Sequence, residues 1–152
     1  MSGLINSAGS KSGIIGQTEL DYEEGTFTAT MGGGNPPSTP PTTTGQYTKI
    51  GRQVTVTFNY ESVNCSGGSG GVQITGMPFA CADMPSFTLG MYFGTVNSKN
   101  FNYTVGTNVQ PYITETTTVI QFTTTGDSAV IGGFEYISGS DRYLRVSCTY
   151  FA

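Results

Sequence analysis

A strict alternation of apolar and polar side chains between Gly25 and Met31 is the feature that most constrains the fold of this chain. In an extended strand, Phe27, Ala29 and Met31 lie on one face and the intervening threonines lie on the other. A period of two over this length is typical of a β-strand with one buried face. We therefore predict a first strand here, with Phe27, Ala29 and Met31 in the core.

The same alternation returns in short stretches along the rest of the chain, separated by turns rich in Gly, Pro, Asn and Ser. The chain holds 22 Gly, 9 Tyr and 9 Phe and only 11% charged residues, a composition that favours strands over helices. The further predicted strands lie at 46–50, 53–60, 72–75, 87–93, 101–105, 109–114, 116–124, 129–137 and 143–151. The predicted loops and turns lie at 32–45, 51–52, 64–71, 76–79, 97–100, 107–108 and 126–127. This spacing predicts an all-β fold, an antiparallel β-sandwich or jelly-roll-like head.

Residues 1–18 differ from the rest of the chain because they carry only two small apolar clusters in a background rich in Gly and Ser. Such a segment cannot build a core by itself. We predict an N-terminal arm over 1–18 and one β head domain over 19–152. Fully extended, the arm reaches roughly 60 Å at about 3.3 Å per residue, long enough to attach the head to a larger particle. The candidate anchoring residues are Leu4, Ile5, Ile14 and Ile15; a frayed terminus explains this composition equally well.

The charge of the chain argues against several kinds of partner. With a net charge of −4 and a pI near 4.5, the chain lacks the basic stripe that nucleic-acid binding requires. No apolar run approaches the ~20 residues that span a bilayer, so membrane insertion is not expected. The first residues lack the basic start and apolar middle of a signal peptide, so we expect folding in a cytoplasm. The acids Glu19, Asp21, Glu23 and Glu24 lack the spacing of a calcium loop and are interpreted as a solvated edge of the first strand.

The reactive side chains form no recognisable catalytic pattern. Because the chain contains no His, it cannot form a Ser-His-Asp, Cys-His or His-metal arrangement. The cysteines lack CxxC spacing, so we expect neither a zinc site nor a disulfide framework, and no cofactor. Cys148 is predicted to be a core residue, whereas Cys65 and Cys81 could pair with each other or stay reduced. The acids Asp83, Glu115, Asp127, Glu135 and Asp141 would form a glycosidase pair only by accident of folding, so no enzyme activity is expected.

Exposed Tyr and Asn side chains in turns are candidates for contact with a host sugar or surface protein. Tyr is suited to this role because it offers a rigid apolar face with a hydroxyl at its end. The candidates are Tyr92, Asn97, Asn100, Asn102 and Tyr112. A sheet edge or a subunit contact explains each of them equally well.

Three segments in the first half of the chain carry a family resemblance. They are Tyr22-Glu23-Glu24-Gly25-Thr26-Phe27-Thr28, then Tyr47-Thr48-Lys49-Ile50-Gly51 with Val54-Thr55-Val56, then Ile74-Thr75-Gly76-Met77-Pro78-Phe79. In order and spacing this series resembles the recurrent C-terminal β-domain of bacteriophage tail-fibre and related virion proteins, which reads close to YEEGTWTPTL, YTKIGxxVTV and ITGLPF. The resemblance covers about residues 21–80. The chain differs where Phe27, Ala29 and Met77 replace the Trp, Pro and Leu of that family, and each change keeps an apolar side chain.

The resemblance implies a non-enzymatic structural protein of the phage virion, made in the host bacterial cytoplasm. It implies a homotrimeric head on a fibre or other appendage, attached to other virion proteins through the N-terminal arm and offering a surface to a host glycan or protein receptor. It also implies that Phe27 is buried as the anchor of the sheet. Two alternatives stay open: a capsid decoration protein that buries its arm and one face against the shell, and a soluble carbohydrate-binding module.

Overall fold

The computed structural model describes residues 21–83, 94–103, 107–125 and 132–152. In these ranges the chain forms nine strands and no helix, which confirms the predicted all-β class. The strands are β1 (Tyr22–Asn35), β2 (Thr42–Ile50), β3 (Gln53–Val63), β4 (Ser69–Thr75), β5 (Gly94–Lys99), β6 (Asn108–Ile113), β7 (Ile120–Thr125), β8 (Gly132–Gly133) and β9 (Arg142–Phe151). No helix that could cross a membrane occurs in the described ranges.

The strands form one antiparallel sheet that nearly closes into a barrel. Their order is β5-β9-β3-β2-β1-β4-β7-β6, and β8 pairs with β7. The two ends of this order, β5 and β6, meet where Gly94 of β5 lies against Pro111 of β6. A Cβ atom at Gly94 would be only 2.7 Å from the proline ring. Pro111 has no N–H to donate, so β6 is suited to a sheet edge. Two backbone hydrogen bonds between Asn102 and Glu135, of 3.0 and 2.9 Å, join the segments that follow β5 and β8.

The interior of the barrel is filled by side chains from every second strand position. Phe27, Ala29 and Met31 of β1 are buried as predicted, and Phe27 is only 9% exposed. The other strands contribute Val54, Val56, Phe58 and Tyr60 from β3, Leu144, Val146, Cys148 and Tyr150 from β9, and Val72, Ile74, Ile113, Ile120 and Phe122 from the shorter strands. The prediction that Cys148 belongs to the core is therefore confirmed.

Two glycines make room for aromatic rings on the inner face of β1 and β2. Phe27 pairs with Gly45 across the two strands, and Gly25 pairs with Tyr47. A Cβ atom at Gly45 would lie 2.4 Å from the Phe27 ring, and a Cβ atom at Gly25 would lie 2.8 Å from the Tyr47 ring. Each ring therefore needs a glycine opposite it, which fixes the register of the two strands.

The prediction of a long loop over 32–45 is wrong at both ends. β1 continues through residue 35 and pairs with β4, and β2 begins at Thr42, so only residues 36–41 connect β1 to β2. The glycine run permits this continuation: at Gly33, where φ is 134°, a Cβ atom would lie 2.3 Å from the Gly71 carbonyl oxygen. The loop predicted over 64–71 is likewise shorter, because Ser69 already belongs to β4.

The predicted hairpin around residues 51–52 is confirmed. Ile50 pairs with Gln53, and Gly51 has the positive φ, 58°, that favours glycine in a tight hairpin turn. The predicted corner at 76–79 also lies outside the strands, and Gly76 has a φ of 91°.

The second half of the sheet departs further from the sequence prediction. Asn97, predicted in a turn, lies in β5, because pairing with β9 overrides the turn preference of its Asn and Ser residues. In the described residues, the strand predicted at 101–105 is reduced to a bridge at Asn102, and the strand predicted at 116–124 begins only at Ile120. The predicted strand at 87–93 and the arm at 1–18 lie outside the described residues.

Arg142 fixes the loop that precedes β9. Its buried guanidinium donates from Nε to the Ile137 carbonyl at 2.9 Å, and from its terminal nitrogens to the Ser140 carbonyl at 2.7 Å and the Ser138 carbonyl at 2.9 Å. Among the described residues, no other charged side chain is buried. The three carbonyl oxygens replace water around the charge and so make its burial tolerable.

Candidate functional site

Uncharged polar side chains cover much of the outer face of β1, β2, β3, β9 and β5, which are neighbours in the sheet. They occupy the positions between the core residues, so they point outward. Strand pairing brings one residue from each strand into a single line, which we call the polar row. In the polar row, Thr95 lies opposite Ser147, Ser147 opposite Thr57, Thr57 opposite Gln46, and Gln46 opposite Thr26. With strands about 4.8 Å apart, the row is roughly 19 Å long.

The polar row runs through an open groove of about 530 Å³. A second line of outward side chains, Asn97, Arg145, Asn59 and Thr44, also lines this groove. Most of the lining side chains make no hydrogen bond with another described residue, so their donors and acceptors are available to a ligand. These unbonded side chains are Thr26, Thr44, Gln46, Thr57, Thr95, Asn97 and Ser147.

The groove is close to neutral. Among the described residues that line it, Arg145 alone carries a charge. The Arg145 Nε donates to Asn59 Oδ1 at 3.3 Å, and a terminal nitrogen donates to Glu61 Oε1 at 3.4 Å. Asn59 Nδ2 donates to the same Glu61 oxygen at 2.8 Å. The carboxylate therefore balances the guanidinium at the margin of the groove, although the exposed pair adds little to stability.

Asn97 is the one candidate contact residue that the described structure puts in the groove. Asn100 donates from Nδ2 to the Asp141 carbonyl at 2.8 Å, and Asn102 donates from Nδ2 to Glu135 Oε2 at 3.1 Å. Both amides are therefore used in holding loops rather than presented freely to a ligand.

The remaining contact candidate that can be placed lies on another strand. Tyr112 is in β6 and donates its hydroxyl to Gln121 Oε1 at 2.9 Å. Tyr92 lies outside the described residues, as do the candidate anchoring residues of the arm.

Gln46, Thr57 and Ser147 were not among the predicted contact residues, although their alternation with apolar neighbours already predicted that they point outward. What the alternation could not supply is the pairing of β3 with β9, which lie far apart in the sequence. The groove depends on that pairing, because it puts Ser147 directly beside Thr57.

The acids within the described ranges do not form a metal cluster. Among the described residues, no group of three or more Cys, Asp and Glu side chains could hold a metal ion. Asp141 pairs with Lys99, whose hydrogen bond of 2.9 Å holds the pKa of the Asp141 carboxyl below its ordinary value. Glu115 is partly buried and its Oε1 has no hydrogen-bond partner among the described atoms. Asp127 lies outside the described residues.

The three cysteines are free and buried. Cys65 lies near the start of β9, because its backbone N–H donates to the loop before that strand. Cys81 lies near the far end of β9, because the N–H of the next residue, Ala82, donates to Phe151. These ten residues of β9 span roughly 30 Å, so Cys65 and Cys81 are too far apart to pair. Burial raises the pKa of all three thiols, and that of Cys148 to about 12, so they are poor nucleophiles at neutral pH.

A second concavity of about 510 Å³ lies beside the proline-rich loop at 36–41. Two of the polar side chains that line it, those of Asn64 and Ser66, are hydrogen-bonded within the chain. Asn64 Oδ1 accepts hydrogen bonds from the Ser66 N–H at 2.9 Å and the Ser66 hydroxyl at 2.6 Å, and the Ser38 N–H donates to the Ser66 carbonyl at 3.0 Å. Loop packing accounts for this concavity, and the groove along the polar row is the stronger candidate site.

No protein-family model matches the chain, and no curated protein matches it either. The functional proposal therefore depends on the sequence motifs, on where their residues lie in the fold, and on the chemistry of the outer face.

Proposed function

We propose that the chain is a non-enzymatic structural protein of a bacteriophage virion, a β head carried on a trimeric fibre or appendage and attached through its N-terminal arm. The observation that carries this proposal is where the motif residues lie. The three motif segments belong to β1, to the β2–β3 hairpin, and to β4 with the corner after it. These strands are consecutive neighbours in the order β3-β2-β1-β4.

Aromatic contacts pack residues of these motifs in the core or against it. Phe27, at the position of the family's Trp, meets Phe58 of β3 edge-on, with 6.1 Å between ring centroids. Tyr47 of the second motif meets Phe79 of the third at 5.4 Å, and the Lys49 ammonium lies 5.7 Å from the centre of the Phe79 ring. Tyr47 and Phe79 thus link the second and third motifs, and β1, which carries the first motif, pairs with β2, so the motifs form one packing unit. Such a unit explains why a recurring module would keep these motifs in a fixed order and spacing.

The attachment point of the arm supports the same proposal. The backbone carbonyl of Asp21 accepts a hydrogen bond of 2.7 Å from the Gly51 N–H. The Asp21 carboxylate pairs with Lys49 at 2.9 Å. The β2–β3 hairpin therefore holds Asp21, the first described residue of the head after the predicted arm at 1–18. A fixed junction suits a head that is carried on a particle by its N-terminal segment.

Incorporation into particles tests this function. A tagged full chain and a tagged chain that lacks residues 1–18 are expressed during phage production, and purified particles are probed for the tag. We expect the full chain in particles and the shortened chain in the soluble fraction. Circular dichroism of the shortened chain checks that its head is folded. Incorporation of the shortened chain would refute anchoring by the arm, and absence of both chains would refute the virion role.

The trimer is tested separately by light scattering on the purified full chain. We expect a mass three times the 16.0 kDa of one chain. A stable monomer at working concentration contradicts the trimer and leaves the virion role to the incorporation experiment.

A further inference from the structure

We propose that the groove on the outer face of β1, β2, β3, β9 and β5 binds a neutral oligosaccharide, with the polar row as its main contact surface. This inference goes beyond the proposed function and does not depend on it. The groove has the same chemistry whether the head is displayed on a virion or acts alone in solution.

The side chains of the polar row match the chemistry of a sugar. Sugar hydroxyls donate and accept hydrogen bonds, and so do the hydroxyls of Thr and Ser and the amide of Gln. Thr26, Thr57 and Thr95 are β-branched, which limits the rotation of their side chains on a strand. Less conformational freedom is then lost when these hydroxyls bind a ligand. The row is therefore a preorganised line of unbonded donors and acceptors.

Charge distinguishes a neutral sugar from an acidic one. Phosphate and carboxylate groups are typically recognised by an unpaired Arg or by a helix N-terminus. Arg145 already donates to Glu61 and Asn59, and no helix occurs among the described residues. The acidic balance of the whole chain also disfavours an anionic polymer.

A protein partner fits the groove less well than a sugar. The buried centre of a protein interface is enriched in aromatic, Met and Arg side chains. The polar row consists of three Thr, one Ser and one Gln, and its neighbours Asn97 and Thr44 are uncharged polar residues as well. Phe58, Val96 and Val146 also line the groove, but Phe58 and Val146 are buried in the core. The exposed surface therefore offers mainly hydrogen bonds and little apolar anchor for a protein.

The dimensions favour an oligosaccharide over a single sugar. The groove volume of about 530 Å³ lies within the range of about 300–1,000 Å³ typical of ligand sites. The row crosses five strands at right angles to the strand direction and is roughly 19 Å long. An extended chain of several sugar rings is the occupant that contacts both Thr26 and Thr95.

The test uses the full chain and a printed panel of bacterial surface oligosaccharides, both neutral and anionic. We expect retention of neutral members, and binding that is unchanged in about 0.5 M salt because no charge is involved. The double variant Gln46→Ala with Thr57→Val removes the central hydrogen bonds of the row and should weaken binding about tenfold or more. Gln53→Ala, on the same face of β3 but outside the groove, is the matched control and should bind like the unmodified chain.

Several results would overturn the proposal. These are failure of the full chain to bind any neutral oligosaccharide, salt-sensitive binding of anionic members alone, or unchanged binding by the double variant. Thr57→Arg provides a further test. If light scattering shows that this variant has lost an oligomer formed by the unmodified chain, the groove is a subunit contact. Thermal unfolding of each variant confirms that its head is folded. Failure here leaves incorporation into particles unaffected, so the two proposals fail independently.

Discussion

The two sides of the barrel are held together by different means. On the long-strand side, β1, β2, β3 and β9 have 14, 9, 11 and 10 residues, and β3 pairs with β9 without interruption from Gln53 to Tyr60. On the short-strand side, which comprises β4, β6, β7, β8 and their connecting segments, the strands have at most 7 residues. There β4 pairs with β7 only at Gln73 and Ile74.

Aromatic packing takes the place of the missing strand pairs on the short-strand side. The Phe134 ring lies 4.9 Å from Phe101, 5.0 Å from Phe122 and 6.1 Å from Tyr103, measured between ring centroids. The Tyr136 hydroxyl donates to the Gly32 carbonyl of β1 at 2.8 Å. A sheet can therefore close nearly into a barrel where its hydrogen-bond ladder is incomplete. The two sides should differ in local opening, because side-chain packing protects backbone amides less evenly than a ladder does.

The largest expected effects come from removing one core ring on each side. Phe58→Ala on the long-strand side and Phe134→Ala on the short-strand side should each lower the free energy of unfolding by about 3–5 kcal/mol. Native-state hydrogen exchange should separate them. We expect Phe134→Ala to speed exchange mainly in β6 and β7, and Phe58→Ala to speed it across the whole sheet. The same exchange pattern in both variants would mean that the two sides form one cooperative unit.

The next effect concerns the loop that connects the two sides before β9. Arg142→Met should cost about 3 kcal/mol, because three carbonyl oxygens lose a charged donor. Arg145→Met is the matched control on the same strand, since its ion pair with Glu61 is exposed, and it should cost less than about 1 kcal/mol. Denaturant titration measures both. Equal losses would show that Arg142 does not hold the loop.

A smaller effect tests the fit of the Phe27 ring on the long-strand side. Gly45→Ala would bring a Cβ atom to 2.4 Å from that ring, so we expect a loss of about 2 kcal/mol from overpacking. Gly34→Ala is the control, because no atom lies within 4 Å of its Cβ position. Thermal unfolding of the two variants gives the comparison. A Gly45→Ala variant as stable as the control would contradict the close contact between β1 and β2.

The smallest effect concerns alkaline pH, to which both sides should respond. Burial raises the pKa of Cys148 from 9.0 to about 12 and raises the pKa values of Tyr60, Tyr136 and Tyr150. The unfolded chain releases these protons first, so stability is complete below about pH 9 and falls as pH rises toward 12. Cys148 alone should account for a loss of about 1 kcal/mol between pH 9 and pH 10. Denaturant titrations at both values measure this loss, and an undiminished loss in Cys148→Ala would contradict the assignment.

The fold could be predicted from the sequence where neighbouring strands follow one another and their residues alternate clearly. Phe27, Ala29 and Met31 were assigned to the core from their period alone, and the hairpin at 51–52 was predicted from a local turn signal. The prediction failed at Gly32 to Asn35 because glycines that look like a loop continue β1 beside β4. Asn97 was misassigned for a similar reason, since its pairing partner in β9 is far away in the sequence. The groove was also hard to predict. Its residues face outward, and the strand pairing that brings them together joins parts of the chain that are far apart in the sequence.

Immunogold electron microscopy of intact virions tests the proposed function most directly. Antibodies raised against the purified head are applied to particles from cultures that produce the chain. We predict label on a fibre or other tail appendage, and loss of that label from particles made without the chain. Label on the capsid shell would instead favour the decoration alternative. Particles without label, in a culture whose lysate contains the folded chain, would contradict a virion role.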